Sequence, residues 1–290
     1  MNRRSFLAAS TAALGGAWLA GCADPAEEPG MDGADDPAGG AGATLERIGL
    51  QLYTVRSLME DDVAATLATV AEAGYDEVEF AGYFGHTPDA IRAMLDEAGL
   101  AAPAAHVPLE ALREDLPGVL AAAGAVGHRY VVCPWLSEDD RQTIDQYRAH
   151  AAFFNEVGAA CADAGVQFAY HNHEFEFVPV GGTIPYDVLL EETDPDLVQM
   201  ELDLFWITEA GRDPLDYFDR WPGRFPLCHV KDRMQDGAMV DVGQGAIDFA
   251  AIFAHRDHAG LRHFIVEHDN PDDPRRFLAN SYDHLASLRI

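Results

Sequence analysis

From residue 45 onward the chain alternates short apolar runs with longer stretches in which apolar residues recur at helical spacing. Apolar runs bounded by turn residues read as buried strands, and stretches with apolar positions three and four apart read as amphipathic helices. Strands are expected at 48–53, 76–81, 102–107, 129–134, 166–171, 197–203, 226–231 and 263–267, starting 26 to 37 residues apart. Thr87-Pro88 offers a helix N-cap and a proline at the first helical position, with Gly99 just past the end. Ser137, followed by acidic residues, is expected to open a long helix that stops near Gly165, and Asp213-Pro214 and Asp273-Pro274 are similar starts. Eight such units without a second change of composition predict an α/β protein, a closed (β/α)8 TIM barrel spanning 45–290. The alternative is a doubly wound open sheet. That fold more often carries a glycine-rich phosphate loop after its first strand, where Leu52-Tyr53-Thr54-Val55-Arg56 stands here.

The first 44 residues do not share this pattern. Arg3-Arg4 is followed by an apolar run, Leu7 to Leu19, too short for a permanent bilayer span. The run ends in Leu19-Ala20-Gly21-Cys22. This order resembles a bacterial lipoprotein signal of the twin-arginine type. The resemblance implies a signal peptide at 1–21, export of a folded protein to the periplasm or cell surface, and lipid attachment to Cys22. Residues 22–44, rich in Ala, Gly, Pro, Asp and Glu, are expected to be a flexible acidic tether to the membrane.

Composition narrows the partners. The formal charge is −30, and removal of 1–21, which takes Arg3 and Arg4 and no acid, brings it to −32. Such a field repels phosphate backbones, so a nucleic-acid partner is not expected. If Cys22 is lipidated, Cys133, Cys161 and Cys228 remain, an odd number without zinc-site spacing, and are expected to be buried free thiols.

The chemistry gathers at strand ends. Gln51 and Tyr53 end the first expected strand, Glu79 the second and His106 the third, and Trp135 follows the fourth. His171 and His173 end the fifth, Glu201 and Asp203 the sixth, His229 and Lys231 the seventh, and Glu267 the eighth. In a parallel barrel these ends share one mouth. Residues i and i+2 of a strand share a face, so His171 points inward together with His173, and His229 together with Lys231.

The runs GLQLYTVR (49–56), EVEFAG (77–82), AHVPL (105–109), YHNHEFEF (170–177), ELDLFW (201–206), HVKD (229–232), VGQGAIDF (242–249) and VEHD (266–269) carry a resemblance. Together they resemble the xylose isomerase-like superfamily, the sugar phosphate isomerase/epimerase family. The resemblance implies one divalent ion held by residues ending strands five to eight. Asp203, His229 and Glu267 match the last three ligands, with His171 aligned as the fourth. Tagatose 3-epimerase-like and 3-dehydroshikimate dehydratase-like relatives place glutamate there, whereas inosose dehydratase-like relatives resemble this chain in having histidine. Glu174 or Glu176 is an alternative from the following loop. Gln244 stands where many relatives carry glutamate between the two glycines.

A site of imidazole and carboxylate without cysteine suits Mn2+, Co2+, Zn2+ or Mg2+. Such an ion polarises a carbonyl and acidifies the neighbouring C–H, so an enediolate forms when a general base removes the proton. Glu267 is the first candidate for the base and Glu174 the second. Lys231, the one lysine in a chain with 18 arginines, is read as a compact cation near substrate oxygen, or as a structural partner of Asp203 or Glu201. Gln51, Tyr53, Glu79, His106, Trp135, His173 and Trp206 are candidate substrate contacts. The expected function is isomerisation or epimerisation of a sugar, keto-sugar or polyol derivative. The alternatives are a keto-sugar dehydratase or lyase and a non-catalytic sugar-binding lipoprotein. The endonuclease IV branch of the same architecture requires more metal ligands and a basic face, and this chain is acidic.

Overall fold

The computed structural model describes residues 42–290. The expected signal segment 1–21, the lipidation site Cys22 and all but the last residues of the tether lie outside the described residues. Eight parallel strands close into a barrel: β1 Gly49–Gln51, β2 Glu77–Phe80, β3 Ala101–His106, β4 Tyr130–Cys133, β5 Gln167–His171, β6 Val198–Asp203, β7 Leu227–Val230 and β8 His263–Val266. Neighbours in sequence are neighbours in the barrel, and β1 closes on β8. Each expected strand is present; the third is displaced by one residue toward the N-terminus, and the others are one or two residues shorter at one or both ends. A short antiparallel ribbon, Asp232–Arg233 with Met239–Val240, adds to the barrel after β7. No helix among the described residues is long and apolar enough to cross a membrane.

The alternation of side chains gives the barrel two kinds of apolar contact. Outward-facing residues pack against the surrounding helices in one large core. Inside, Ala104, Val132, Ala169, Leu227 and Ile265 form a small separate cluster. Two positions further along β3, β5, β7 and β8 stand His106, His171, His229 and Glu267. The same inward face therefore changes from apolar to polar in one step along each strand. The apolar layer closes the barrel beneath the polar one, so the polar residues can be reached only from the C-terminal mouth.

Local signals set most helix ends. Thr87 accepts from the Ala90 amide, Pro88 occupies the first turn, and Gly99 ends the helix Pro88–Ala98 in the left-handed region at φ 72°. Asp213 and Asp273 cap their helices as expected. The long helix begins later than Ser137 suggested. Ser137 donates to Asp140 beside a separate 3-10 turn, Glu138–Asp140. The helix proper is Ile144–Asp163, opened by a reciprocal Thr143–Gln146 capping box. The reason is physical: Thr143 and Gln146 satisfy each other's backbone donors, whereas the Ser137 hydroxyl is spent on a carboxylate.

Cys133, Cys161 and Cys228 are buried free thiols. The glycines around Gln244 serve a fold role. The buried Asp232 carboxylate accepts from the amides of Arg233, Gly243 and Gly245, at 2.8, 2.9 and 2.9 Å. A Cβ on Gly245 would stand 2.1 Å from Asp232 Oδ1 and 2.5 Å from the Arg233 carbonyl. Gln244 itself is exposed and lies away from the barrel mouth.

Gly158 tests how tightly the long helix seats on the segment before β6. A Cβ there would stand 2.5 Å from the Leu197 carbonyl oxygen, which is backbone and cannot swing aside. Alanine improves intrinsic helix propensity by about 1 kcal/mol, but overpacking against a fixed atom costs about 1–3 kcal/mol or more. Gly158→Ala is expected to lower Tm by several degrees in calorimetry. An unchanged or raised Tm would show that the helix floats on the barrel.

Candidate active site

The barrel mouth holds a cavity of about 480 Å3. Its polar lining is Tyr53, His106, His171, His173, Lys231, Glu267 and Asp269, and Ala81, Gly82, Pro108, Pro134 and Trp135 supply an apolar wall. Tyr53 and Trp135 are among the most exposed large apolar side chains, at 42% and 46%. They stand at the rim, where an aromatic face can cover a bound ring.

His171 and Glu267, which line the cavity, and Asp203 and His229, fully buried behind them, each offer one ligand atom, all within 4.8 Å of one another. Neighbouring groups orient each of them. His171 donates from Nδ1 to the Pro134 carbonyl at 3.1 Å, which leaves Nε2 facing His229 Nδ1 at 3.1 Å. A carbonyl only accepts, so the His171 proton belongs on Nδ1 and the lone pair on Nε2. Asp203 caps the helix Leu204–Glu209 by accepting from the Trp206 amide through Oδ1, at 2.9 Å. Its Oδ2 is buried and receives no hydrogen bond, although Lys231 Nζ stands 3.1 Å away as an ion-pair partner. Glu267 uses Oε2 toward both His229 Nδ1, at 2.9 Å, and Lys231 Nζ, at 2.6 Å.

Beneath lies a second group, in which Glu79, His106, Glu201 and His229 bring ligand atoms within the same limit. His106 donates to Glu201 Oε2 at 2.8 Å, and His229 donates from Nε2 to Glu79 Oε2 at 2.8 Å. His229 thus belongs to both groups, one ring nitrogen in each.

Burial and charge set the protonation states. Burial, then the neighbouring His229 and His106, holds His171 well below the usual imidazole range. Burial, then His171 and Lys231, takes His173 down to about 2. Both rings are therefore neutral. Burial works against charge on Glu267, yet Lys231 and His229 hold it well below the usual carboxylate range. Burial likewise opposes charge on Lys231, but Asp203, Glu267 and Asp269 outweigh it and keep the ammonium protonated. Burial pushes Glu201 up to about 7, and burial with the adjacent Glu201 raises Glu79.

The expected site residues divide by depth. His171, Asp203, His229 and Glu267 converge. Tyr53, His106, Trp135 and His173 line the cavity, and His173 keeps a buried Nδ1 without a partner. Gln51 and Glu79 do not line it: both are fully buried, and Gln51 donates to Glu79 Oε2 at 2.8 Å. Trp206 does not line it either, because its ring packs behind Lys231 and His173. Glu174 is half-buried and outside the lining, whereas Glu176 is fully buried, accepting from the Tyr170 hydroxyl and the His173 amide. The loop carboxylates thus serve the fold and the pose of His173 rather than the floor. Asp269 was given no role by the sequence, and Glu201, named there only as a strand-end residue and possible Lys231 partner, takes a different one. Asp269, in the loop beyond β8, lines the cavity and accepts from Lys231 at 2.9 Å. Glu201 precedes Asp203 by two and lies one layer deeper, against His106.

Comparison with known proteins agrees with this architecture. The family described as "Xylose isomerase-like TIM barrel" matches residues 67–288, and the chain belongs to it. A sugar phosphate isomerase/epimerase from Parabacteroides distasonis is 26% identical, with a TM-score of 0.72 over 89% of this chain and 98% of that one. An inosose dehydratase from Geobacillus kaustophilus is 25% identical over 228 residues, 65% of this chain and 73% of the relative. Another from Lacticaseibacillus casei is 26% identical over 165 residues, 51% of this chain. That match spans about half of the L. casei relative, 54% of its length.

The loop that carries His173 supplies a pH test. Burial pushes the Glu176 carboxyl from its ordinary 4.5 up to about 8. Between those values the folded state binds more protons than the unfolded state, so stability falls as pH rises through the window. Glu176→Gln is expected to reduce that slope in denaturation midpoints measured from pH 5 to pH 8.5. An identical slope in both proteins would remove Glu176 from the account.

Proposed function

We propose that this member of the xylose isomerase-like TIM barrel family is a divalent-metal-dependent isomerase or epimerase. Its substrate is a sugar, keto-sugar or polyol derivative, and the reaction is proton transfer beside a carbonyl. The observation that carries the reading is the convergence of His171 Nε2, Asp203 Oδ2, His229 Nδ1 and Glu267, two of which, His171 and Glu267, line an open cavity. The donor set fits a hard or borderline ion, Mn2+, Co2+, Zn2+ or Mg2+. Asp203 Oδ2, buried with Lys231 as an ion-pair neighbour but without a hydrogen bond, has a lone pair that such an ion would satisfy. When bound, the ion supplies Lewis acidity toward a substrate carbonyl and the hydroxyl beside it.

The chain's own groups supply the rest. Glu267 is ionised, and its recorded contacts fall on Oε2, so Oε1 is the oxygen assigned to take the substrate proton. Lys231 stays charged and donates from Nζ to a substrate oxygen as negative charge develops there. Neutral His173 gives a hydrogen bond to a hydroxyl. Tyr53 and Trp135 cover the bound ring and exclude water from the floor.

A dehydratase of the inosose dehydratase type is the second reading. It is favoured by histidine at position 171 and by the matches to that group. One carboxylate and one ammonium in the cavity lining, Glu267 and Lys231, suit asymmetric chemistry: Glu267 removes a proton and Lys231 assists a leaving hydroxyl.

The test is proton exchange in D2O with ion-loaded protein, read by NMR against a panel of keto-sugars and inososes. An active substrate is expected to exchange its α-proton, and the ratio of epimer to elimination product separates the two readings. His229→Ala is expected to lose the ion and the exchange while keeping its fold. Glu267→Gln is expected to slow exchange about 10²–10⁴-fold, since an amide cannot take the proton. Unchanged exchange in Glu267→Gln with ion bound would take the base role from Glu267.

We further propose that Cys22 is lipidated after twin-arginine export, which would place the site outside the cytoplasm. The support is the order Arg3-Arg4, apolar run, Leu19-Ala20-Gly21-Cys22. Cys22→Ser is expected to abolish labelling by a lipid precursor and release the protein from membranes. Equal labelling of both forms would exclude the anchor.

A further inference from the structure

An imidazole that gives one nitrogen to a metal ion must settle the other. For His171 the Pro134 carbonyl does this. His229 has no carbonyl in that place. Its Nε2 faces Glu79 Oε2 at 2.8 Å, with Glu201 Oε2 at 3.4 Å. Glu79 is fully buried and does not line the cavity; it stands behind His106, whose Nε2 is 3.3 Å from Glu79 Oε2. Its orientation is fixed in turn. Gln51 Nε2 donates to the same Oε2 at 2.8 Å, and Gln51 Oε1 accepts from the Tyr53 amide at 3.0 Å, which settles which end of the amide faces Glu79. A chain of three hydrogen bonds thus runs from the turn after β1, through β2, to the ring on β7.

We infer that Glu79, braced by Gln51, is a positioning residue: it holds the Nε2 proton of His229 and so presents the Nδ1 lone pair to the ion site. The inference rests on reading His171, Asp203, His229 and Glu267 as the ion's ligands. A carboxylate in this role fixes the tautomer, aims the ring and raises its basicity toward the ion. The competing use of the same atoms is a second ion held by Glu79, His106, Glu201 and His229. Glu79 Oε1 and Glu201 Oε1 are buried without partners, which favours that use. Against it, Glu79 Oε2 already receives two donors, from Gln51 and His229. A second ion would also strip the Nε2 proton, leaving an imidazolate shared between two cations.

The test combines Zn2+ titration with 1H–15N spectra of the histidine rings, with and without Zn2+. The wild type is expected to bind one equivalent and to show a slowly exchanging His229 Nε2–H in both states. Glu79→Leu is expected to lose that signal and to bind Zn2+ about 10–100-fold more weakly. Glu79→Gln, whose side-chain carbonyl still accepts, is expected to keep the signal and recover most of the affinity, which a purely structural role would not produce. Gln51→Leu, which leaves the carboxylate in place, is expected to fall between and serves if Glu79→Leu does not fold. A protected Nε2–H and unchanged affinity in Glu79→Leu would overturn the inference. So would a second Zn2+ equivalent accompanied by loss of the Nε2 proton in the wild type. If the wild type takes up no Zn2+, the ion reading fails alone, and the Nε2–H signal of ion-free Glu79→Leu still decides the positioning role.

Discussion

Four carboxylates, Glu79, Glu201, Asp203 and Glu267, are buried inside one barrel; Lys231 is the permanent cation that faces Asp203 and Glu267, and His106 and His229 face Glu79 and Glu201. Desolvated charge of one sign is costly unless it is paired. Lys231 balances part of it, and a proton or two held near Glu79 and Glu201 balances more. The remainder is a standing demand for positive charge at the barrel mouth. In the upper group, Asp203 Oδ2 is buried without a hydrogen bond and has only ion-pair neighbours, Lys231 foremost. The arrangement is intelligible as a cavity built around a divalent ion and hard to justify as packing.

The barrel meets this demand by layering. The apolar set Ala104, Val132, Ala169, Leu227 and Ile265 seals the interior below. Above it lies the deep polar layer of Gln51, Glu79 and Glu201, linked by hydrogen bonds to His106 and His229. The uppermost layer holds His171, Asp203, Glu267 and Lys231, with Asp269 at its edge. Each layer restricts the next: a closed floor keeps water out, the deep carboxylates fix the rings, and the rings present their lone pairs upward. Electrostatic interactions are stronger in such a sealed site than in water. One lysine among histidines and carboxylates can therefore shift several protonation states together.

Much of this was legible in the sequence, because a strand repeats every two residues and parallel strands end at one mouth. Those two facts brought His171, Asp203, His229 and Glu267 to one mouth from four separate runs, and the family resemblance marked them out as a ligand set. Depth was not legible. Gln51 and Glu79 stand at strand ends like His106 does, yet stagger around the barrel sets them a layer lower, where they serve other residues. Trp206 follows a ligand by three, and the helix that begins at Leu204 turns its ring behind Lys231. In HNHEFEF the choice between Glu174 and Glu176 depended on a one-turn 3-10 helix, Phe175–Phe177, that no periodicity announces. Asp269 lay beyond the last strand residue, where strand logic no longer applied. Ser137 and Thr143 were equally good caps by type. The deciding feature was Gln146, three residues after Thr143.

The central claim is that a single divalent ion belongs among the four upper ligands. Anomalous diffraction from crystals grown with Mn2+ tests it directly. The expected result is one peak, lying among His171 Nε2, Asp203 Oδ2, His229 Nδ1 and Glu267, at about 2.0–2.3 Å from those atoms. An empty upper site under saturating Mn2+, or a peak confined to the Glu79–Glu201 layer, would contradict the account.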